Sequence, residues 1–554
     1  MFLTYLNNRH LSLTDLNQII VGDKKIDLLN RELFFNEKDF CFKLFEAIND
    51  DYLFAVFGDY DVDGVASQTV AVTCLAKLIQ NNNLTCFPAD RRNGYGFNEQ
   101  DVINAINFCR VRQGRKLCIV LTDNGVATNN AYRILDQLAV KYGLEIKVLV
   151  IDHHYYNQYD IYLPNNFDLT IIDANCYTQK TYQTFSATLA TYFVFMRIFQ
   201  MGINQEYTLS QNEEDWLTFL AGLSIISDVQ NILSENRYYV KEALRLLKTS
   251  KYWKFRTLLK YFNATDFDVL GWQISPMINS VSRINGSAQK ALVFMLTDSQ
   301  KVFEQKLAEM LSENENRKKI VSELLKNQKI ESQIKEQLND NSIIVALQNK
   351  DVKAMGLAGL IANRINSEYH LPTIVYTYTD NGLYFKASGS ARVSGSNMFD
   401  IAKETSNYFG RIRLGGHKGA FGFNAASKEQ LQKFIKIIKD ADIKSKAKKH
   451  FYDFDYSFSD RDNQIKNIKK INEVCEPFGN GLSKPVLKIS LGRNDYRVEP
   501  FGNDDNHLKI VLFNGQEILW FNGNKEKMNC DRINLYTNVS NKGELILSNV
   551  EVIN

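Results

Sequence analysis

The sequence predicts an α/β protein built on a parallel sheet, and three observations lead there. Short runs rich in Val, Ile and Leu recur early in the chain, at Leu53 to Phe57, Leu117 to Leu121 and Val148 to Ile151. Helical stretches separate them, as expected of buried parallel strands joined by crossovers. Each run breaks into acids: Gly58-Asp59-Tyr60-Asp61-Val62-Asp63-Gly64, Thr122-Asp123-Asn124-Gly125 and Asp152-His153-His154. Ligands of an open α/β sheet bind beyond the carboxyl ends of its strands, so the three clusters are expected at one sheet edge.

Taken in order, the first acid cluster leads into a helix over Val65 to Ile79, and a second helix is expected over Asp101 to Phe108. Phe185 to about Leu247 reads as mainly helical. It includes Trp216 to Val229, whose end carries Asp228. Gln300 to Leu338 is charged and almost without glycine, with Phe303, Leu307, Met310 and Leu311 at helical spacing, as in a long helix joining two domains. A second α/β unit starts at Ser342-Ile343-Ile344-Val345-Ala346-Leu347 and passes through Gly356-Leu357-Ala358-Gly359 into a helix, then a strand at Thr373 to Tyr376. Two glycine-rich loops are expected next, Ser388-Gly389-Ser390-Ala391-Arg392 and Gly415-Gly416-His417-Lys418-Gly419, both candidate anion nests. Beyond a lysine-rich stretch from Lys428 to Lys449, alternating runs such as Leu508 to Leu512 and Glu517 to Trp520 predict a small antiparallel barrel.

Composition narrows the function classes. A chain of 554 residues is expected to form three or four domains, at roughly 100 to 200 residues each. The formal net charge is only +3, so contact with nucleic acid must come from local patches. Eight cysteines without a CxxC pair suit reduced thiols and argue against a zinc knuckle or a disulfide scaffold. No apolar run approaches the roughly 20 residues of a membrane span. The opening Met-Phe-Leu-Thr-Tyr-Leu-Asn-Asn-Arg has no basic region or cleavage signal, so a cytoplasmic location is expected.

The acid clusters carry the chemistry. Asp59, Asp61, Asp63, Asp123 and Asp152 gathered at one edge repel one another at neutral pH unless divalent cations neutralise them. The Asp59 to Gly64 string also resembles part of a calcium loop, but no helix precedes it and no Glu closes a twelve-residue loop. Carboxylates with one imidazole suit manganese or magnesium better than zinc. Two such ions can activate water and stabilise a leaving oxygen in phosphodiester hydrolysis.

These motifs together resemble the DHH phosphoesterase superfamily, and specifically its RecJ single-stranded-DNA exonucleases. The likeness continues through Ser227-Asp228-Val229, Pro276-Met277-Ile278-Asn279 with Arg283, Gly356 to Ile365, Gly389-Ser390-Ala391-Arg392, Leu414-Gly415-Gly416-His417 and Glu476-Pro477-Phe478-Gly479-Asn480-Gly481. It implies four regions: a parallel-sheet DHH catalytic domain at 1–295, a long connector helix at 296–340, a second α/β DHH-associated domain at 341–450, and a C-terminal OB-fold β-barrel at 451–554. It implies that Asp59, Asp61, Asp63, Asp123, His153 and Asp228 hold two ions, Mn²⁺ or Mg²⁺, with Asp123 bridging. Asp152 would orient the histidine pair, His154 would contact the scissile phosphate, and Arg283 and His417 would stabilise its charge. Gly389, Ser390, Arg392 and Asn279 would bind the nucleic acid. The implied activity is 5′-to-3′ hydrolysis of single-stranded DNA to 5′-mononucleotides in repair, recombination or replication, with a single-strand-binding protein or a helicase as candidate partner. The alternatives are a phosphodiesterase of short oligoribonucleotides or cyclic dinucleotides, and a non-catalytic replication scaffold.

Overall fold

The computed structural model describes residues 1–21, 33–79, 81–126, 128–154, 161–174, 185–201, 208–262, 268–348, 353–380, 385–393, 396–409, 412–417, 419–441, 443, 451–502, 507–521, 523, 525–540 and 542–553. Two compact units emerge. The first joins Met1–Phe87, Gly96–Ser275 and His450–Asn554; the second joins Pro88–Tyr95 and Pro276–Lys449. Cys176 and Lys418 lie outside the described residues. No described helix is long and apolar enough to cross a membrane.

The expected parallel sheet is present in the first unit. Its strands are β1 (Leu53–Phe57), β2 (Leu84–Phe87), β3 (Lys116–Thr122), β4 (Glu145–Asp152) and β5 (Asp168–Asp173). They pair in the order β2-β1-β3-β4-β5, every pair parallel. β1 and the central part of β3 are buried throughout, which explains their unbroken apolar runs. One face packs on the Glu99–Val111 and Asn129–Tyr142 helices through Val102, Ile106, Tyr132 and Leu135. The helix after β1 spans Val62–Leu78, starting three residues earlier than expected because Asp61 caps it.

The helical region that follows includes Ala187–Gln200, Gln211–Ser227 and Ser234–Thr249. The last two pack closely at Gly222, where a side-chain carbon would lie 2.3 Å from the Tyr239 carbonyl oxygen and 2.5 Å from Ala243 Cβ. That close approach fixes the spacing of the two helices.

In the second unit the charged connector ends sooner than expected. Gln300–Leu325 is one helix, and the chain then breaks at Asn327, whose side chain accepts the Lys329 N–H at 3.0 Å and caps a separate helix, Gln328–Lys335. The sheet here runs β6 (Ile343–Gln348), β7 (Thr373–Asp380), β8 (Phe385–Arg392), β10 (Ala420–Ala425) and β9 (Ile412–His417) in that spatial order. Only β6 and β7 are parallel. Of the two glycine-rich segments expected as loops, Ser388–Arg392 and Gly415–His417 lie in strands. Gly389 lies between Tyr376 and Phe423 in the ladder, and a side-chain carbon there would meet the Phe423 ring at 2.2 Å. Its glycine serves close packing in a sheet, and backbone groups engaged in two ladders cannot form an anion nest.

The C-terminal region carries seven strands: β11 (Phe454–Asp455), β12 (Leu487–Gly492), β13 (Tyr496–Phe501), β14 (His507–Leu512), β15 (Glu517–Trp520), β16 (Arg532–Val539) and β17 (Leu545–Ile553). Their order is β11-β12-β16-β17-β15-β14-β13. The pairing is mixed, not wholly antiparallel: β11 with β12 and β15 with β17 are parallel. Residues from strands across the whole sheet share one core, including Ile489, Ile510, Ile518, Leu535 and Leu545.

Gly222→Ala tests the helix contact. Alanine gains about 1 kcal/mol of helix propensity, but overpacking against backbone costs about 1–3 kcal/mol. The melting temperature should therefore fall by a few degrees in a thermal scan, against the direction that propensity alone requires.

Candidate metal centre

The acids end their strands at one edge of the sheet, as expected. The Gly58–Gly64 segment folds back on itself: a side-chain carbon at Gly64 would lie 2.5 Å from Asp59 backbone atoms, and one at Gly58 would lie 2.3 Å from the Gly64 carbonyl oxygen. Only glycine fits these two places. The fold-back presents Asp59, Asp61 and Asp63 together. Asp61 accepts the Asp63 and Gly64 N–H groups at 3.0 and 3.2 Å, which caps the following helix. Asp63 is buried and accepts the Ala187 and Thr188 N–H groups, both at 2.8 Å, so a helix N-terminus stabilises its charge.

Asp123 follows β3 in a left-handed conformation, φ 60°, with its N–H donated to the Ile151 carbonyl. Its carboxylate is buried, and Oδ1 has no hydrogen-bond partner although His153 Nε2 lies 3.1 Å away. His153 Nε2 is also 3.6 Å from Asp63 Oδ2, while Nδ1 is 3.7 Å from Asp228 Oδ2. Asp152 orients the pair. It accepts the His153 and His154 main-chain N–H groups at 2.7 and 3.2 Å, and its Oδ1 lies 2.8 Å from His154 Nδ1, which places the ring proton on Nδ1.

Among the described residues three sets could each hold a cation: Asp59, Asp61 and Asp123; Asp63, His153 and Asp228; and Asp123, His153 and His154. Within each set the ligand atoms lie within 4.8 Å of one another. Asp123 and His153 both belong to two sets, which is the arrangement two neighbouring ions need. The donors are mostly carboxylate oxygens with imidazole nitrogen, a set that fits Mn²⁺ or Mg²⁺. A buried carboxylate oxygen without a donor, facing a ring nitrogen, fits a cation between them.

The electrostatics agree. Burial, with the charges of Asp63, Asp61 and Asp59, pushes the Asp123 carboxyl well above the usual range. Burial and the charges of Asp63 and Asp61 also push Asp228 up to about 6, against the lowering effect of His153. His154 is raised to about 9: burial opposes its charge, but Asp152 outweighs it. His153 is raised too, with burial opposed by Asp228, Asp63, Asp152 and Asp173. Without a cation, protons do the neutralising.

Of the sequence-predicted residues, this unit brings together Asp59, Asp61, Asp63, Asp123, Asp152, His153, His154 and Asp228. Asn279, Arg283, Gly389, Ser390, Arg392 and His417 belong to the second unit. There Arg283 donates to the Gly356 carbonyl at 3.1 Å, and Arg392 donates to Ser390 Oγ at 2.9 Å and to the Ala391 carbonyl at 2.8 Å. Sequence reasoning missed Asp173 and Gln230. Asp173 ends β5 in register with Asp152, and Gln230 Nε2 bonds Asp228 Oδ2 and lies 3.4 Å from His153 Nδ1. The run Leu169 to Ile172 ending in an acid carried the same signal as its three neighbours; nothing local marks Gln230.

Two family models match the chain: the DHH family, N-terminal domain, over residues 53–222, and the DHHA1 domain over residues 339–441. The chain carries a DHH N-terminal domain and a DHHA1 domain, and it is similar to RecJ proteins. It is 24% identical over 489 residues to the single-stranded-DNA-specific exonuclease RecJ of Bacillus subtilis, covering 86% of this chain and 57% of that protein. It is 23% identical over 493 residues to RecJ of Haemophilus influenzae, covering 85% of this chain and 80% of that one. The chain thus spans little more than half of the Bacillus relative. A crystal structure of Thermus thermophilus RecJ in complex with Mn²⁺ matches with a TM-score of 0.69 at 18% identity, over all of this chain and 78% of that one, a likeness of fold. The DHH model covers all five strands of the first sheet and every acid of the cluster except Asp228.

The raised groups give the metal-free protein a definite pH dependence. Between 3.8 and about 6 the folded chain keeps the Asp228 proton that the unfolded chain has released, and between 6.5 and about 9 it keeps that of His154. Stability is therefore lost as pH rises through both windows. In a chelator, the melting temperature should fall from pH 5 to pH 9. With saturating Mn²⁺ the part of that fall between pH 5 and about 6 should flatten or reverse, because ligation releases the Asp228 proton.

Proposed function

We propose that the chain is a 5′-to-3′ exonuclease that hydrolyses single-stranded DNA to 5′-mononucleotides with two divalent ions, Mn²⁺ or Mg²⁺. The observation that carries this reading is the buried, unpartnered Asp123 Oδ1, shared by two of three overlapping ligand sets. The likeness to proteins named as single-stranded-DNA-specific exonucleases supports the substrate class.

Asp59, Asp61, Asp63, Asp123, His153 and Asp228 would hold the ions. When bound, these supply positive charge to the phosphate oxygens and lower the pKa of the attacking water. Asp152 holds His154 with one tautomer fixed, and His154 would donate to the scissile phosphate. Arg283 and His417 would take up the charge that develops on it. Ser390, Arg392 and Asn279 would bind the strand, with Gly389 serving only the packing of the sheet that carries Ser390 and Arg392. The Arg392 guanidinium is half-buried and its ionisation is depressed by burial. A desolvated guanidinium beside a serine hydroxyl grips a terminal phosphate well, which favours entry by a 5′-phosphorylated end.

The C-terminal sheet would bind single strands in the manner of an OB-fold, by stacking bases on aromatic rings. Phe501, His507 and Phe521 gather there, with ring centroids 5.3 to 5.8 Å apart. Work in DNA repair, recombination or replication beside a single-strand-binding protein or helicase, in the cytoplasm, follows from the same reading. The complete acid set speaks against a non-catalytic scaffold.

Two measurements test the proposal. Asp123→Ala should lower turnover on a labelled single strand by at least about a thousandfold at saturating Mn²⁺, the loss expected when charge stabilisation of this kind is removed, while the protein stays folded and binds the strand. Near-normal turnover overturns the two-ion assignment. Blocking either terminus of the strand, with a double strand and a dinucleotide run in parallel, sets polarity and substrate class. Digestion that continues with the 5′ end blocked and the 3′ end free overturns the polarity. Arg392→Ala should reduce the preference for 5′-phosphate over 5′-hydroxyl ends more than it reduces hydrolysis of bound substrate.

A further inference from the structure

The loop that presents Asp228 is held from outside the DHH domain. Asp228 caps the Gln211–Ser227 helix, its N–H bonded to the Ser224 carbonyl at 2.9 Å. The next residue, Val229, is left-handed at φ 54°. A β-branched side chain in that region costs on the order of 1–3 kcal/mol and persists only where neighbouring groups enforce it. The Val229 side chain is 67% exposed, so packing of that side chain does not enforce it.

Asn480 does. Its side-chain Nδ2 donates to the Val229 carbonyl at 2.9 Å, and its own carbonyl accepts the Ile232 N–H at 2.9 Å. One residue thus grips both ends of the Val229-to-Ile232 turn, which carries Gln230 and follows directly on Asp228. Its neighbours fit closely: a side-chain carbon at Gly479 would touch Ile232 Cγ2 at 3.1 Å. One at Gly481, which has φ +90°, would lie 2.5 Å from Asn231 Oδ1. Gly479 and Leu482 exchange two backbone hydrogen bonds, at 2.9 and 3.1 Å, closing the turn that holds Asn480.

That turn is anchored in its own right. Arg237, on the Ser234–Thr249 helix, is 0% exposed. Its guanidinium donates to the carbonyls of Pro477 at 3.0 Å, Cys475 at 2.9 Å and Glu476 at 2.6 Å. Those carbonyls end the Arg461–Cys475 helix, where a cation is favoured. A buried guanidinium spent on three carbonyls is a costly device unless the segment it holds must not move. From that segment the chain runs through Asn480 and Val229 to Asp228, 3.7 Å from His153.

We propose that Asn480 is a positioning residue of the metal centre, and that the C-terminal region completes the cation site formed by Asp63, His153 and Asp228. The proposal rests on the metal reading above and extends it. A C-terminal region that only bound DNA could be removed without harm to cleavage of very short oligonucleotides. A C-terminal region that holds Asp228 could not.

The test uses the full chain with Mn²⁺ alone, titrated by the electron paramagnetic resonance signal of free Mn²⁺. Asn480→Ala should weaken binding at one of the two sites by about tenfold or more, the usual cost of losing a group that orients a ligand. The other site should be unchanged. Single-strand binding in chelator should be unchanged, and turnover should recover at high Mn²⁺, so the defect appears in the metal dependence and not in saturated turnover. Asn480→Asp, the same size but lacking the Nδ2 donor, should behave alike and serves if the alanine variant melts early. Wild-type Mn²⁺ binding by a folded Asn480→Asp, or lost strand binding with unchanged Mn²⁺ affinity, overturns the proposal. Asp123→Ala is run beside it. If the wild-type chain itself binds no Mn²⁺, the metal reading fails together with this one. If wild type binds and Asp123→Ala does not, a null result at Asn480 defeats the positioning role alone.

Discussion

Mutual repulsion of buried carboxylates is the constraint on which the first unit depends. Two unit charges 4 Å apart repel by about 4 kcal/mol at the effective dielectric of a protein surface, and this site gathers several. The chain relieves part of that load with backbone N–H groups. Asp61 caps one helix, Asp63 accepts from the start of another, and Asp152 accepts from the two histidines and from Val126. The remainder falls on Asp123 and Asp228, whose carboxyls are held above their ordinary range. These two carry the neutralisation left to bound cations. The parallel sheet is what makes the concentration possible, since β1, β3, β4 and β5 deliver their acids to the same edge.

Much of this was legible in the sequence because strand and ligand share one signal. An apolar run that stops at an acid marks both a buried strand and its functional end. Leu53–Phe57 was read to its last residue, and Asp59, Asp123 and His153 stand where the strand ends predict. Asp173 carries the same signature and was passed over only because a lone acid is less conspicuous than a cluster. Gln230 had no signature. Its role comes from the turn after Asp228, and a turn held by residues some 250 positions away cannot be read from local pattern.

Glycine was the source of the clearest misreading. In the Gly58–Gly64 segment glycine does mark a tight fold-back, so the inference from glycine to loop succeeded there. In Gly389-Ser390-Ala391-Arg392 it failed, because a glycine in a strand answers to the aromatic ring on the neighbouring strand. The sequence contains Phe423 but not the register that sets it against Gly389. The connector showed the same limit in helical form. Its charged, nearly glycine-free composition ran on past residue 325, but Asn327 offered a competing cap, and the local hydrogen bond won.

The first unit is assembled from three separated stretches of chain, the last beginning at residue 450. A ribosome makes protein from the N-terminus, so the sheet and its acids emerge long before the residues that brace the Asp228 turn. The nascent first unit must wait while the whole second unit is synthesised, with the face that will receive Arg461–Cys475 and the turn at Gly479–Gly481 still bare. At about 5–20 residues per second that interval lasts roughly ten seconds or more. The acids are thus in place on their sheet well before the residues that brace the turn beside Asp228 are made.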